Sequence, residues 1–206
     1  MYTSKQIEEL KRGHLETRRE CEALYLEYAA LSQGLSGHAR DHALYGIARR
    51  VGIVSQCLDK FFNIAPPDLN EELSWDDKKD IEITLHAFLL NICALPDNMA
   101  WLWAHMVPLG TPEELENMKF DIGLFQKRFR RNLPPELRTL EQSYRNWHRF
   151  ALENRHPTAH RIPPYLVPYT NDNSGDPIES RNYTPQYAHL SESKKCIILR
   201  NSVRLA

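Results

Sequence analysis

Ser74-Trp75-Asp76-Asp77 opens the run whose reading decides the fold. Behind it Ile81, Leu85, Phe88, Leu89 and Ile92 recur at steps of three and four, and the pattern continues through Ala100, Trp101 and Trp103. That spacing is one face of an α-helix, whereas a half-buried strand would alternate at every second residue. Ser74 stands where an N-cap belongs, with the acid Asp77 three residues on, as in a capping box. Pro96 interrupts the run. A proline there removes a backbone donor and crowds the preceding turn, so a kink or break is expected at Leu95, with Asp97-Asn98 capping the second half. Trp101, Trp103 and Met106 read most simply as core or as a subunit contact.

The same period extends outward on both sides. Toward the N-terminus, Leu44, Ile47, Val51, Val54, Leu58 and Phe61 predict a helix that ends before Pro66-Pro67. Ahead of it, Ile7, Leu10, His14, Thr17, Cys21, Leu24, Tyr28 and Leu31 predict a longer one. The two are separated by Gly34-Leu35-Ser36-Gly37, whose glycines can take the left-handed conformations that end a helix, so they form an antiparallel hairpin. Toward the C-terminus, Thr111-Pro112-Glu113-Glu114 is a helix start, with a Thr cap, proline at the first position and an acid at the third. It is expected to carry Leu115, Met118, Ile122, Phe125 and Phe129 as far as Pro134-Pro135. A last long helix from Pro135 shows Leu137, Leu140, Tyr144, Trp147 and Ala151 as its buried face.

The expected fold is therefore all-α, an antiparallel bundle of about five long helices over residues 1–168. Residues 169–206 form an irregular C-terminal tail. Ile162 to Pro168 leads out of the bundle as an extended, proline-rich segment; in the tail Asn171 to Asp176 reads as a turn or loop, and Pro185 to Lys195 as a short helix. With 206 residues, 42% of them hydrophobic, the chain can bury one substantial core but hardly a second domain. The scarcity of glycine and the abundance of Leu, Glu, Arg and Ala favour helix over sheet.

Composition also narrows function. No segment is apolar for the roughly 18 residues that a membrane span requires, and no signal-peptide core follows Met1, so a cytoplasmic protein is expected. Cys21, Cys57, Cys93 and Cys196 are too far apart for a zinc or redox pair and read as reduced, mostly buried thiols. No P-loop or dinucleotide fingerprint is present, and no cofactor is expected. His38 and His42 lie one turn apart, a spacing that can bring two ligands to one metal. Without carboxylates patterned around them, an exposed polar helix start is the simpler reading. A metal shared by His38, His42, His156 and His160 stands as a weaker third option.

The net charge of −1 creates no global field for nucleic acid, yet Lys127 to Arg161 holds nine basic residues against three acidic ones. Within that stretch, Glu153-Asn154-Arg155-His156-Pro157-Thr158-Ala159-His160-Arg161 packs two arginines and two histidines into seven residues. At 100° per residue, Tyr144, His148 and Arg155 share a stripe at the edge of the buried face, aligning a phenol, an imidazole and a guanidinium along one groove. An ordinary boundary row of amphipathic side chains is the alternative.

Arg155, four intervening residues and His160 match the Arg-x4-His pattern of the HEPN superfamily, helical-bundle proteins that include many metal-independent ribonucleases. The chain resembles an uncharacterised bacterial HEPN-like family more widely, over roughly Leu44 to Pro168. The similar segments are His86-Ala87-Phe88-Leu89-Leu90-Asn91, Asp97-Asn98-Met99-Ala100-Trp101, Phe125-Gln126-Lys127, and Arg155-His156 through His160-Arg161-Ile162-Pro163. A polar residue after the arginine, here His156, is also a superfamily preference. The resemblance implies a metal-independent endoribonuclease in a toxin or phage-defence setting, with Arg155, His160 and His156 as catalytic residues. It implies a homodimer as well, because in the superfamily a second subunit often completes the site.

In that chemistry His160 exchanges a proton with the ribose 2′-hydroxyl or the leaving 5′-oxygen. Arg155 holds the scissile phosphate in bidentate fashion. Tyr144, His148, Arg149 and Arg161 are the expected RNA-binding residues, within a basic surface that attracts phosphate irrespective of sequence. Pro157 complicates the geometry. A continuous helix would set Arg155 and His160 about 140° apart, so the helix is expected to end near Arg155, with a turn bringing His160 back. The alternative is a non-catalytic protein-interaction or RNA-binding module, in which Arg155 pairs with a carboxylate of another helix and the motif anchors the proline-rich exit.

Overall fold

The computed structural model describes residues 2–107, 109–160, 169–171 and 177–179. The architecture is all-α. Helix α1 spans Ser4–Gln33 and opens on a capping box, with Thr3 accepting from Gln6 N and the Gln6 side chain returning to Thr3 N. After a short link, α2 (Gly37–Asp41), a π-helical stretch (His42–Ala48) and α3 (Arg49–Ile64) run on without a gap. Then come α4 (Trp75–Met106), the short α5 (Pro112–Asn117), a 3-10 turn (Phe129–Asn132) and α6 (Pro135–His160).

Side-chain pairs fix the directions of the helices. Lys11 meets Asp68, His14 meets Asp59, and Tyr25 lies against Gly52, so α1 and α3 are antiparallel. His38 faces His105, Arg50 faces Asn91 and Phe61 faces Phe88, so α4 runs back along α2 and α3. α6 then returns along α4. One core cluster joins Ala39, Ala43, Ile47 and Val51 to Leu102, with small residues permitting close approach. A second joins Ala100 and Ala104 to Leu115, Ile122, Phe129 and Leu133. Burying side chains of this size stabilises by roughly 1.5–3 kcal/mol for each large one. A small antiparallel pair, β1 (Tyr169–Asn171) with β2 (Pro177–Glu179), lies beyond the bundle in sequence.

Several expectations change in detail. Gly34 ends α1 in a right-handed conformation, and the left-handed glycine is Gly37, at the start of α2. α4 continues through Pro96 without a break, with that proline buried inside it. Asn98, expected as a cap, instead donates Nδ2 to Ala94 O at 2.8 Å and turns its Oδ1 to His42 Nδ1 at 3.2 Å. Gly46 makes room for that amide, since a Cβ there would stand 2.3 Å from Asn98 Oδ1.

The helix opened by Thr111 forms its capping box but stops at Asn117. Residues after it turn tightly, with Asp121 N donating to Met118 O and Gln126 N to Gly123 O. Leu115, Ile122 and Phe129 remain buried although Met118 and Phe120 are exposed, so the apolar period survives as anchor points of a folded loop. On α6 the expected face holds at its two ends, where Leu137 packs on the second core cluster and Ala151 is buried, but not in its middle. Leu140 and Tyr144 are each 54% exposed, whereas Glu141 is 2% exposed. The expected helix over Pro185 to Lys195, the turn from Asp172 to Asp176 and the segment Ile162 to Pro168 lie outside the described residues.

Candidate functional site

The inward stripe of α6 reads Glu141, Arg145, His148, Leu152, Arg155, at steps of four and three. It carries more charge than apolar surface, and its partners on the neighbouring elements account for that. Glu141 accepts from Arg145 Nε at 3.0 Å, and Arg145 Nη2 closes on the same oxygen. On the other side Arg130 Nε lies 3.1 Å from Glu141 Oε2, an ion pair that lacks hydrogen-bond angles. One buried carboxylate is thus clasped by two guanidiniums. A buried charge is tolerable only when paired in this way.

Beside this triad a cleft of about 250 Å³ opens between α4, the loop after α5, and α6. Asp97 comes from α4, Phe125 and Gln126 from the loop, and Arg145, His148, Arg149 and Leu152 from α6. The tight turn at Gly123 delivers the loop residues, because a Cβ there would meet Gln126 Cγ at 2.9 Å and Asp97 Oδ1 at 3.1 Å. The imidazole of His148 stacks on Phe125, centroids 3.8 Å apart and planes 13° apart, which fixes the ring.

The titration of these groups follows from their setting. Burial lowers His148 below the ordinary histidine value, with Glu141 opposing, and so favours the neutral ring. Burial raises the Asp97 carboxyl, with the Arg155 guanidinium pulling it back. Cys93, one turn before Asp97, is pushed up to about 11 by burial, again against Arg155. Arg155 therefore acts electrostatically on Cys93 and Asp97 of α4, without an ion pair to either among the described residues.

The other expected residues are distributed as follows. His148 and Arg149 line the cleft, whereas Tyr144 faces solvent and Arg155 is not among the lining residues, so of the expected groove of Tyr144, His148 and Arg155 only His148 lines it. His156 is exposed on α6. α6 does not end near Arg155 but continues through Pro157 to His160, so positions 155 and 160 belong to one helix. At 100° per residue they stand about 140° apart around its axis. The side chain of His160 and all of Arg161 lie outside the described residues. Glu141, Arg145, Gln126 and the cleft role of Asp97 were missed from sequence, because apolar periodicity passes over charged residues. The only available signal was that Glu141, Arg145 and His148 repeat at helical spacing.

A second group of imidazoles sits one to two turns further along α4, where it meets α2 and the π-helical stretch. His42 stacks on Trp101 and on His105, with centroids 5.6 Å apart in each case, and His38 lies 5.3 Å from His105. His38 and His42 thus meet His105 rather than His156. Among the described residues no group of three or more His, Cys, Asp or Glu side chains is arranged to hold a metal ion. Cys21, Cys57 and Cys93 are free thiols. No described helix is long and apolar enough to cross a membrane. No family model, no curated protein and no solved structure matches the chain.

Proposed function

We propose that this chain is an HEPN-like helical bundle that cleaves RNA without a metal, with Arg155 and His160 as the reacting pair and His156 assisting. The observation that supports it best is that Arg155, half-buried on α6, acts on Asp97, which lines a cleft together with Arg145, His148 and Arg149. Four guanidiniums there, counting Arg130, stand against the two carboxylates Glu141 and Asp97. Such an excess attracts a phosphodiester.

In the reaction the ribose 2′-hydroxyl attacks its own phosphorus. The P–O2′ bond forms and the P–O5′ bond breaks, giving a 2′,3′-cyclic phosphate and a 5′-hydroxyl. One imidazole takes the 2′ proton, the leaving oxygen receives one, and Arg155 neutralises the charge that builds on phosphorus. On a continuous α6 the two motif positions diverge, so they converge on one phosphate across a homodimer, Arg155 of one copy opposite His160 of the other. A cytoplasmic toxin or phage-defence effector is the setting this reading implies.

The second reading is a non-catalytic RNA-binding or protein-interaction module. Its support is the unbroken helix through Pro157 together with the Arg155–Asp97 attraction. Incubating the pure protein with structured and single-stranded RNA in EDTA separates the two. Arg155→Ala and His160→Ala are each expected to slow cleavage by roughly 10²–10⁴-fold. Binding without cleavage by the unaltered protein, or equal cleavage by all three proteins, would favour the module.

A further inference from the structure

We propose that the cleft between α4 and α6 is a phosphate site for a single nucleotide, with Arg149 and Arg145 on the phosphate oxygens and the His148 imidazole beside them. The first support is size. At about 250 Å³ the cleft is smaller than the roughly 300 Å³ at which drug-sized ligand sites begin, which leaves room for a phosphate group with the rest of a nucleotide outside it. The second is the disposition of donors. Arg145 spends Nε and Nη2 on Glu141 and retains the rest of its guanidinium donors. Arg149, one turn on, is exposed and makes no hydrogen bond or ion pair among the described residues. Gln126 adds an amide from the opposite wall, and Phe125 and Leu152 supply apolar surface.

The third support is that the site is held open from behind. Glu141 orients Arg145 from the buried side, and Phe125 fixes His148 from its ring face. The carboxyl already present, Asp97, is raised by burial, which disfavours its charged form beside an incoming anion, with the Arg155 guanidinium opposing. Two guanidiniums a turn apart flanking an imidazole suit an oxyanion with several acceptor oxygens. The inference rests on the ribonuclease reading only in assigning the phosphate to a nucleotide. A free nucleotide and the phosphorylated end of a strand share this chemistry.

The test is NMR titration of the histidine rings in the full chain with inorganic phosphate, AMP and adenosine. Phosphate and AMP are expected to raise the His148 pKa, since an adjacent anion favours imidazolium. Adenosine is not, and His42 and His105 should be unmoved and serve as internal controls. Arg149→Gln should weaken AMP binding at least about tenfold, and Arg149→Lys should recover part of it. A short RNA bearing a 5′-phosphate that displaces AMP, where its 5′-hydroxyl form does not, assigns the site to strand ends. AMP binding undisturbed by both RNAs assigns it to the free nucleotide. No His148 response to phosphate or AMP, or one unchanged in Arg149→Gln, overturns the proposal. No RNA need be cleaved in this experiment, so AMP binding by a protein inactive on RNA would keep the phosphate site and remove the ribonuclease.

Discussion

His105 and His148 are both lowered by burial, yet their surroundings differ in kind. His105 sits among His38, His42 and Trp101, and its ring is further lowered by the two other imidazoles. Nothing in that group carries a fixed charge. His148 sits among Arg145, Arg149 and Asp97, with a carboxylate opposing the burial. Aromatic stacking and amide contacts explain the first cluster as a packing device that joins α2 and the π-helical stretch to α4. The second leaves donors unspent, which packing does not require. An imidazole is thus informative as a site marker when its neighbours have bonding capacity left over.

The comparison is tested hardest at Glu141. Replacing it by Ala removes the buried partner of Arg130 and Arg145, which are themselves partly exposed, and a loss of roughly 1.5–3 kcal/mol is expected in chemical denaturation. A loss under about 1 kcal/mol would mean that the triad is solvated and the cleft has no rigid back wall.

At the imidazole cluster the corresponding stress is steric. Gly46→Ala puts a methyl 2.3 Å from Asn98 Oδ1, and a cost of about 1–3 kcal/mol is expected. Adding Asn98→Ala should relieve part of it, whereas simple additivity of the two costs would show that the contact is not the cause.

A smaller effect separates the regions by pH. Both His105 and His148 have folded pKa values below their unfolded ones, so the unfolded chain takes up protons first as pH falls. Their contribution is present above about pH 6.5 and is lost as pH drops through that value toward the folded pKa values. Asp97 acts in the opposite sense, favouring the fold below the ordinary aspartate value and losing that contribution as pH rises through its raised pKa. Stability should therefore decline between about pH 7 and 5.5, with a shallower slope in His148→Gln. An unchanged slope would place the proton uptake elsewhere. Least affected of all, Tyr144→Ala should stay within about 0.5 kcal/mol of the unaltered protein, because that ring faces solvent.

The fold was readable wherever apolar side chains mark the period. The face of α4, the caps at Ser74 and Thr111, and the hairpin of the first helices follow from residues whose local preference and burial agree. The reading failed where tertiary contacts override local preference. α6 continues through Pro157, and Met118 and Phe125 belong to an apolar pattern that the chain abandons as a helix to form the cleft wall. On α6, choosing Leu140 and Tyr144 as buried placed the face one residue away from Glu141, since a charged residue counts as surface until its partners are known. Of the residues lining the cleft, charge density and helical spacing single out His148 and Arg149. The sequence could not supply Asp97 and Gln126, which reach the cleft only by the antiparallel return of α6 and the turn at Gly123.

The most direct measurement is the chemistry of RNA ends after incubation with the protein in EDTA. Attack by the ribose 2′-hydroxyl predicts fragments ending in 2′,3′-cyclic phosphate and beginning with a 5′-hydroxyl, absent in Arg155→Ala and His160→Ala and blocked by a 2′-deoxy substitution at the cut. Fragments with 3′-hydroxyl and 5′-phosphate ends, cleavage that disappears with the chelator, or intact RNA throughout would contradict it.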